Sequence, residues 1–151
     1  MLNSMVVLLA VAPLLSLAPP PYDEHADART EIERMLECAR EEHKPLLLMF
    51  GANWCEWCRG LDQILGKDKE LSKLADDTFL RLNVDIGDYD RNLDVAAQYG
   101  LKDLDDTGIP MLVVLRPDGS VKERKSADDF VVGSHYAKSS LRRFLQLHAK
   151  R

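Results

Sequence analysis

The chain has 151 residues, 46% of them hydrophobic and 30% charged, enough for one compact core and too little for a second. With 20 basic and 25 acidic residues the formal net charge is -5, which excludes the cationic surface that phosphate binding demands, so no nucleic acid partner is expected. The short basic clusters at Lys122, Arg124 and Lys125 and at Arg142 and Arg143 read as solvated strand-end and helix-face charge.

Taken in chain order, the first stretch stands apart. Met1 to Ala18 carries no charged side chain, and its apolar run is shorter than the roughly 20 residues of a spanning helix. Small residues at Ser16 and Ala18 sit at cleavage spacing, so the segment reads as a secretory signal cut after Ala18. The expected organisation is a signal peptide over 1–18, a Pro-rich spacer over 19–26 and a domain over 27–151. Such a protein is periplasmic or secreted, with no stable membrane insertion after cleavage. The leading segment lacks Lys and Arg, which leaves an uncleaved anchor or a buried N-terminal segment as the other reading.

From Asp27 to His43, Ile32, Met35, Leu36 and Ala39 share one helical face, and Pro45 forces the helix to stop by Lys44. Leu46 to Phe50 is a continuous apolar run bounded by Pro45 and Gly51, the mark of a strand buried on both faces. Helical spacing resumes over Cys55 to Leu65, with Gly66 expected to end it before a short helix through Leu71 and Leu74. Thr78 to Val84 alternates with period 2 and reads as a strand parallel to the first. A helix over Asp90 to Tyr99, closed by Gly100, precedes a second buried strand, Met111 to Leu115. Pro117-Asp118-Gly119 then turns the chain into an antiparallel strand at Val121, and a last helix over Tyr136 to Ala149 buries Leu141, Phe144, Leu145 and His148.

The chemistry concentrates in Trp54-Cys55-Glu56-Trp57-Cys58. A cysteine at the start of a helix meets unpaired backbone N–H groups and the positive end of the helix dipole, which favour thiolate, the species that attacks disulfides. A second cysteine one turn deeper can close a small disulfide and resolve a mixed one. The same spacing also serves zinc sites and inert disulfides. The further zinc ligands on offer, Cys38, His25, His43, His135 and His148, form no second close pair. The pair's place directly after a buried strand and at the opening of a helix favours redox work.

Phe50-Gly51-Ala52-Asn53-Trp54-Cys55-Glu56-Trp57-Cys58 resembles the active-site segment of the thioredoxin superfamily, and Gly108-Ile109-Pro110 resembles the loop before its third strand. Arg81 to Asp85, Tyr99-Gly100 and Gly133 are weaker matches, so the likeness covers most of Leu46 to Leu147. It is nearest to the periplasmic thioredoxin-like domains, such as the electron-donating domain of the DsbD relay. The resemblance implies an α/β class, thioredoxin-like fold: a central mixed β-sheet flanked by helices, here with an extra N-terminal helix. It further implies Cys55 as nucleophile, Cys58 as resolver, a cis Pro110 against them, and Ile109 as the strand edge that docks substrate backbone. No cofactor and no metal are called for. The implied partners are protein thiols and disulfides, together with an unidentified redox partner that resets the pair.

Two departures stand out. Met49 occupies the place of the family's buried aspartate, which assists proton transfer from the resolving cysteine, and Glu56-Trp57 replaces Gly-Pro between the cysteines. The Glu56 carboxylate beside Cys55 disfavours thiolate, so it tunes the pair toward giving electrons. Trp54 and Trp57 are the candidate substrate contacts, with core packing the other role open to Trp54. Cys38 reads as a half-buried inert thiol, and Asp103, Asp105 and Asp106 as solvated loop charge. The competing function is a peptide-binding or chaperone module whose Cys55–Cys58 bond is static.

Overall fold

The computed structural model describes residues 18–149, so all of the expected signal segment except Ala18 lies outside the described residues. The first helix, α1 (Ala28–Glu42), starts where Asp27 accepts a hydrogen bond from the Thr30 amide at 2.8 Å, and it stops at His43, which takes the left-handed conformation. Strand β1 (Leu46–Gly51) follows and is buried along its whole length. Then come α2 (Glu56–Lys67), α3 (Leu71–Thr78), β2 (Leu80–Asp85), α4 (Leu93–Gln98), α5 (Leu104–Thr107), β3 (Met111–Leu115) and β4 (Val121–Ser126). A single 3-10 turn, Ala127–Phe130, leads to a small hairpin of β5 (Val131–Val132) and β6 (His135–Tyr136), and α6 (Lys138–Ala149) closes the chain.

The main sheet has the order β2-β1-β3-β4, with β1 parallel to β2 and antiparallel to β3, and β4 antiparallel to β3. It is the mixed sheet that the resemblance implies. Because side chains alternate along a strand, the two faces of β1 build two cores. Leu47 and Met49 pack with Leu61, Leu65, Phe79, Leu141 and Phe144 under α2, α3 and α6. Leu46, Leu48 and Phe50 pack with Ala28, Ile32, Val84 and Val95 under α1 and α4. Such two-sided burial explains why β1 reads as an unbroken apolar run.

Several boundaries differ from the sequence expectation, each for a local reason. Gly66 does not end its helix; α2 runs on through Lys67, and Asp68 ends it, turning its carboxylate to the amides of Glu70 and Leu71. Thr78 belongs to α3, where its hydroxyl donates to the Leu74 carbonyl at 2.7 Å, so the strand starts two residues later. The helix expected over Asp90 to Tyr99 shrinks to Leu93–Gln98, because residues 87–90 form a turn, 91–92 a bend, and Asn92 adopts a positive φ. Tyr136 lies in β6 rather than at the start of α6.

All four residues expected to be buried by the last helix are buried. Phe144 is held between the rings of Phe130, Phe79 and His148 at centroid distances of 5.3, 6.0 and 4.9 Å. Burial also lowers the pKa of His148 although Glu123 sits 2.7 Å from its Nε2, so the imidazole is a packing group. Truncating Phe144 to Ala removes the ring that ties α6 to Phe79 at the end of α3 and to Phe130 of the 3-10 turn. The expected cost is about 3–5 kcal/mol, read by urea denaturation.

Candidate active site

The site is built at the C-terminal end of β1. Residues 52–55 turn tightly, the Cys55 amide donating to the Ala52 carbonyl at 3.2 Å, and the chain enters α2. Cys55 is the N-cap of that helix, and its sulfur accepts the Cys58 amide at 3.1 Å. Here a sulfur occupies the place where Ser or Asp usually caps, so the Cys58 N–H, which has no acceptor within the helix, points at Cys55 Sγ. Cys55 and Cys58 are joined as a disulfide with their Cα atoms 5.2 Å apart. Cys58 is fully buried, while Cys55 keeps 6% of its surface exposed, the asymmetry expected of an attacking and a resolving sulfur.

The loop after α5 completes the site from the opposite side. The Ile109-Pro110 peptide bond is cis, as the resemblance implies, and the Ile109 carbonyl oxygen lies 3.9 Å from Cys55 Sγ. Pro110 is buried and passes directly into β3. Thus Cys55, Cys58, Ile109 and Pro110, far apart in the chain, converge on one spot.

Both tryptophans flank that spot and face outward. Trp54 is 53% exposed, which removes core packing as its role. Its indole N–H donates to the Gly87 carbonyl at 2.9 Å and its ring tilts against Tyr89. Trp57 is 41% exposed and meets the ring of Tyr136 edge to face at 5.1 Å, while the Tyr136 hydroxyl donates to the Trp57 carbonyl at 3.0 Å. Glu56, in the first turn of α2, is exposed and shares with Trp57, Ile64 and Tyr136 the lining of a shallow pocket of about 390 Å³. Cys38 is the free thiol, half-buried on α1.

Sequence reasoning left Tyr22 and Asn53 out of the site. Tyr22, assigned to the 19–26 spacer, is 1% exposed and packs in one cluster with Cys55 and Cys58. Asn53 holds it: its amide nitrogen donates to the Tyr22 carbonyl at 2.8 Å and its oxygen accepts the Tyr22 amide at 3.0 Å. A lone aromatic after three prolines gives no periodicity, so the available signal was the mere presence of a tyrosine in an otherwise polar linker. At the end of β1, a Cβ added to Gly51 would fall 2.5 Å from Tyr22 Oη and 2.8 Å from Cys58 Sγ. Gly51→Ala must therefore displace the ring or the sulfur. The expected outcome is a stability loss of about 1–3 kcal/mol in urea denaturation, with the disulfide easier to reduce than in the parent.

Comparisons with known proteins agree with this geometry. Residues 27–117 match a family model described as thioredoxin-like. A disulphide isomerase from Xylella fastidiosa Temecula1 is 35% identical and superposes with a TM-score of 0.76, over 87% of this chain and 98% of that one. The oxidised C-terminal domain of DsbD from Neisseria meningitidis shares the fold at 24% identity and a TM-score of 0.57, covering 80% of this chain and 96% of that domain. Mouse anterior gradient protein 3 is 31% identical over 61 residues, which are 40% of this chain but 37% of that protein's length. With a redox-spaced cysteine pair capping α2, a cis proline opposite it and a family match running from α1 through β3, the chain belongs to the thioredoxin-like family.

Proposed function

We propose that this protein is an exported thiol–disulfide oxidoreductase that reduces protein disulfides, with Cys55 as nucleophile and Cys58 as resolver. The observation that carries the reading is the capping geometry: the Cys55 sulfur, on the residue of the pair that keeps some exposure, accepts the Cys58 amide at the head of α2. A thiolate formed there is stabilised by the same N–H groups that cap the helix. Attack of the Cys55 thiolate on a substrate disulfide forms a mixed disulfide and expels one substrate thiolate. Attack of the Cys58 thiolate on Cys55 then releases the second and leaves the Cys55–Cys58 bond. A protein or small dithiol must re-reduce that bond for another turnover.

Substrate backbone docks along Ile109 beside Cys55, with the exposed faces of Trp54 and Trp57 on either side offering apolar contact to extended polypeptide. The bias toward donating electrons rests on Glu56. Its carboxylate one residue from Cys55 opposes thiolate formation, leaves the reduced form less stabilised, and so makes the dithiol the better reductant. Export rests on the uncharged apolar leader, and no helix among the described residues is long and apolar enough to cross a membrane.

Turnover of insulin disulfides with a small dithiol as electron source tests the activity. Catalysis above the dithiol alone is the expected result, and equal rates with and without the protein would leave the static binding module as the surviving reading. Equilibration with glutathione tests the direction. A potential below about -200 mV is expected, whereas one near the roughly -120 mV of the strongest disulfide donors would reject the reductant assignment.

A further inference from the structure

Met49 leaves the buried side of the cysteine pair without the family's carboxylate: the residue is a thioether, packed in the core among Leu47, Leu61 and Leu112. A buried thiolate at Cys58 would then have nothing to offset its loss of water, a cost large enough to hold the thiol protonated and slow its attack. The group that fills this side is the phenol of Tyr22. Its hydroxyl and the Cys58 sulfur approach the same point above Gly51, at 2.5 and 2.8 Å, and the ring touches the cysteine cluster.

The backbone carrying Tyr22 is fixed at four places. Asn53 pairs with both the amide and the carbonyl of Tyr22, and its amide nitrogen also reaches Glu24 Oε1 at 3.0 Å. On one side the Asn83 amide donates to the Pro21 carbonyl at 2.9 Å, and on the other the Arg91 guanidinium donates to the Glu24 carbonyl at 3.1 Å. Side chains from three separate parts of the chain, Asn53 after β1, Asn83 in β2 and Arg91 before α4, thereby hold the four-residue segment that carries the ring. Asn83 also donates to Asp62, and Arg91 also pairs with Asp85, so the segment is tied into the contacts that surround the site.

We propose that Tyr22 donates a hydrogen bond to the Cys58 sulfur whenever that sulfur is a thiolate, and that residues 21–24 are the strap that keeps the phenol there. The proposal rests on the reading of Cys58 as the resolving thiol. When an incoming reductant thiolate attacks Cys55, the Cys55–Cys58 bond breaks and Cys58 departs with the electron pair; the phenol O–H is positioned to stabilise the charge. In the reverse sense the stabilised Cys58 thiolate attacks Cys55, the bond to the partner breaks, and the partner leaves as thiolate. Tyr22 keeps its proton throughout. Burial raises its pKa far above the ordinary phenol value, and Asp62, Tyr136 and Asp85 push it the same way, so it acts as donor and not as base. Asp62 lies one turn beyond Cys58 on α2, held by the Asn83 amide at 2.8 Å. Its charge also disfavours a Cys58 thiolate, which leaves the phenol as the offsetting group.

The test is a titration that needs no substrate. The chain has three cysteines, so with Cys55 and Cys38 replaced by Ala, Cys58 is the single thiol and its ionisation can be followed by ultraviolet absorbance. Adding Tyr22→Phe keeps the ring and removes the hydroxyl. The expected result is a Cys58 pKa about one unit higher, equivalent to about tenfold less thiolate at neutral pH, with circular dichroism and melting unchanged. Asn53→Ala, which releases the strap, is expected to shift the same titration in the same direction and serves if the first variant folds poorly. An unmoved Cys58 titration in a folded Tyr22→Phe protein would overturn the proposal. Failure of insulin turnover would instead count against the oxidoreductase reading, since the titration is independent of it.

Discussion

Replacing Cys55 by Ser is expected to reduce insulin-disulfide turnover to the rate of the dithiol alone while leaving the fold in place. The serine oxygen would still cap α2 through the Cys58 amide, so the helix start survives, as Ser is among the best N-cap residues. What disappears is the proposed nucleophile. A hydroxyl at this helix head is not ionised at neutral pH and cannot form a mixed disulfide. The loss of the Cys55–Cys58 bond costs modest stability, because the two cysteines are three residues apart and the closed loop is short. Melting close to that of the reduced parent, combined with lost catalysis, is the pairing to look for. Retained turnover in a folded Cys55→Ser protein would place the chemistry elsewhere and remove the basis for the assigned roles.

The exposed tryptophans bear on the same experiment. Because Trp54 and Trp57 lie outside the core, the serine variant presents the same apolar flanks to a polypeptide as the parent does. Binding without turnover is therefore expected of Cys55→Ser. That outcome separates recognition, which belongs to the surface, from exchange, which belongs to the sulfur.

How far the fold could be read from residues depended on whether an element is held by its own pattern or by distant partners. Leu46 to Phe50 and Met111 to Leu115 are apolar without a break because both faces are covered, and both strands lie where expected. The cysteine pair and Ile109-Pro110 were legible as motifs, the latter through resemblance and not through any local signal for a cis bond. Gly66 misled because glycine weakens a helix interior by about 1 kcal/mol, which the packing of Leu61 and Leu65 readily offsets. The hairpin of β5 and β6 spans two residues per strand, too few for a period to register. Tyr22 was illegible for a different reason. Its burial is set by hydrogen bonds from Asn53, 31 residues away, and by Asn83 acting on its neighbour Pro21, and no window along the chain contains both ends of such contacts.

Substitution of Cys58 by Ala is expected to have the opposite consequence to that of Cys55→Ser: partners are retained and not lost. Cys55 keeps its place at the head of α2 and its exposed edge, so it still attacks, but nothing beneath it can displace the product. The mixed disulfide then persists until an external thiol cleaves it, and non-reducing electrophoresis of cells expressing the variant should show adducts that collapse on reduction. Cys38 is a second free thiol, half-buried on α1, and could form adducts of its own. Carrying Cys38→Ala in the same chain confines the trap to Cys55, and adding Cys55→Ser should abolish it. The adduct partners also report direction. A reductase accumulates oxidised substrates on Cys55, whereas a protein that inserts disulfides accumulates reduced ones through its oxidised form, which Cys58→Ala cannot make. Abundant adducts therefore support electron donation, and a variant that folds, is exported and captures nothing would leave the Cys55 sulfur without a physiological substrate.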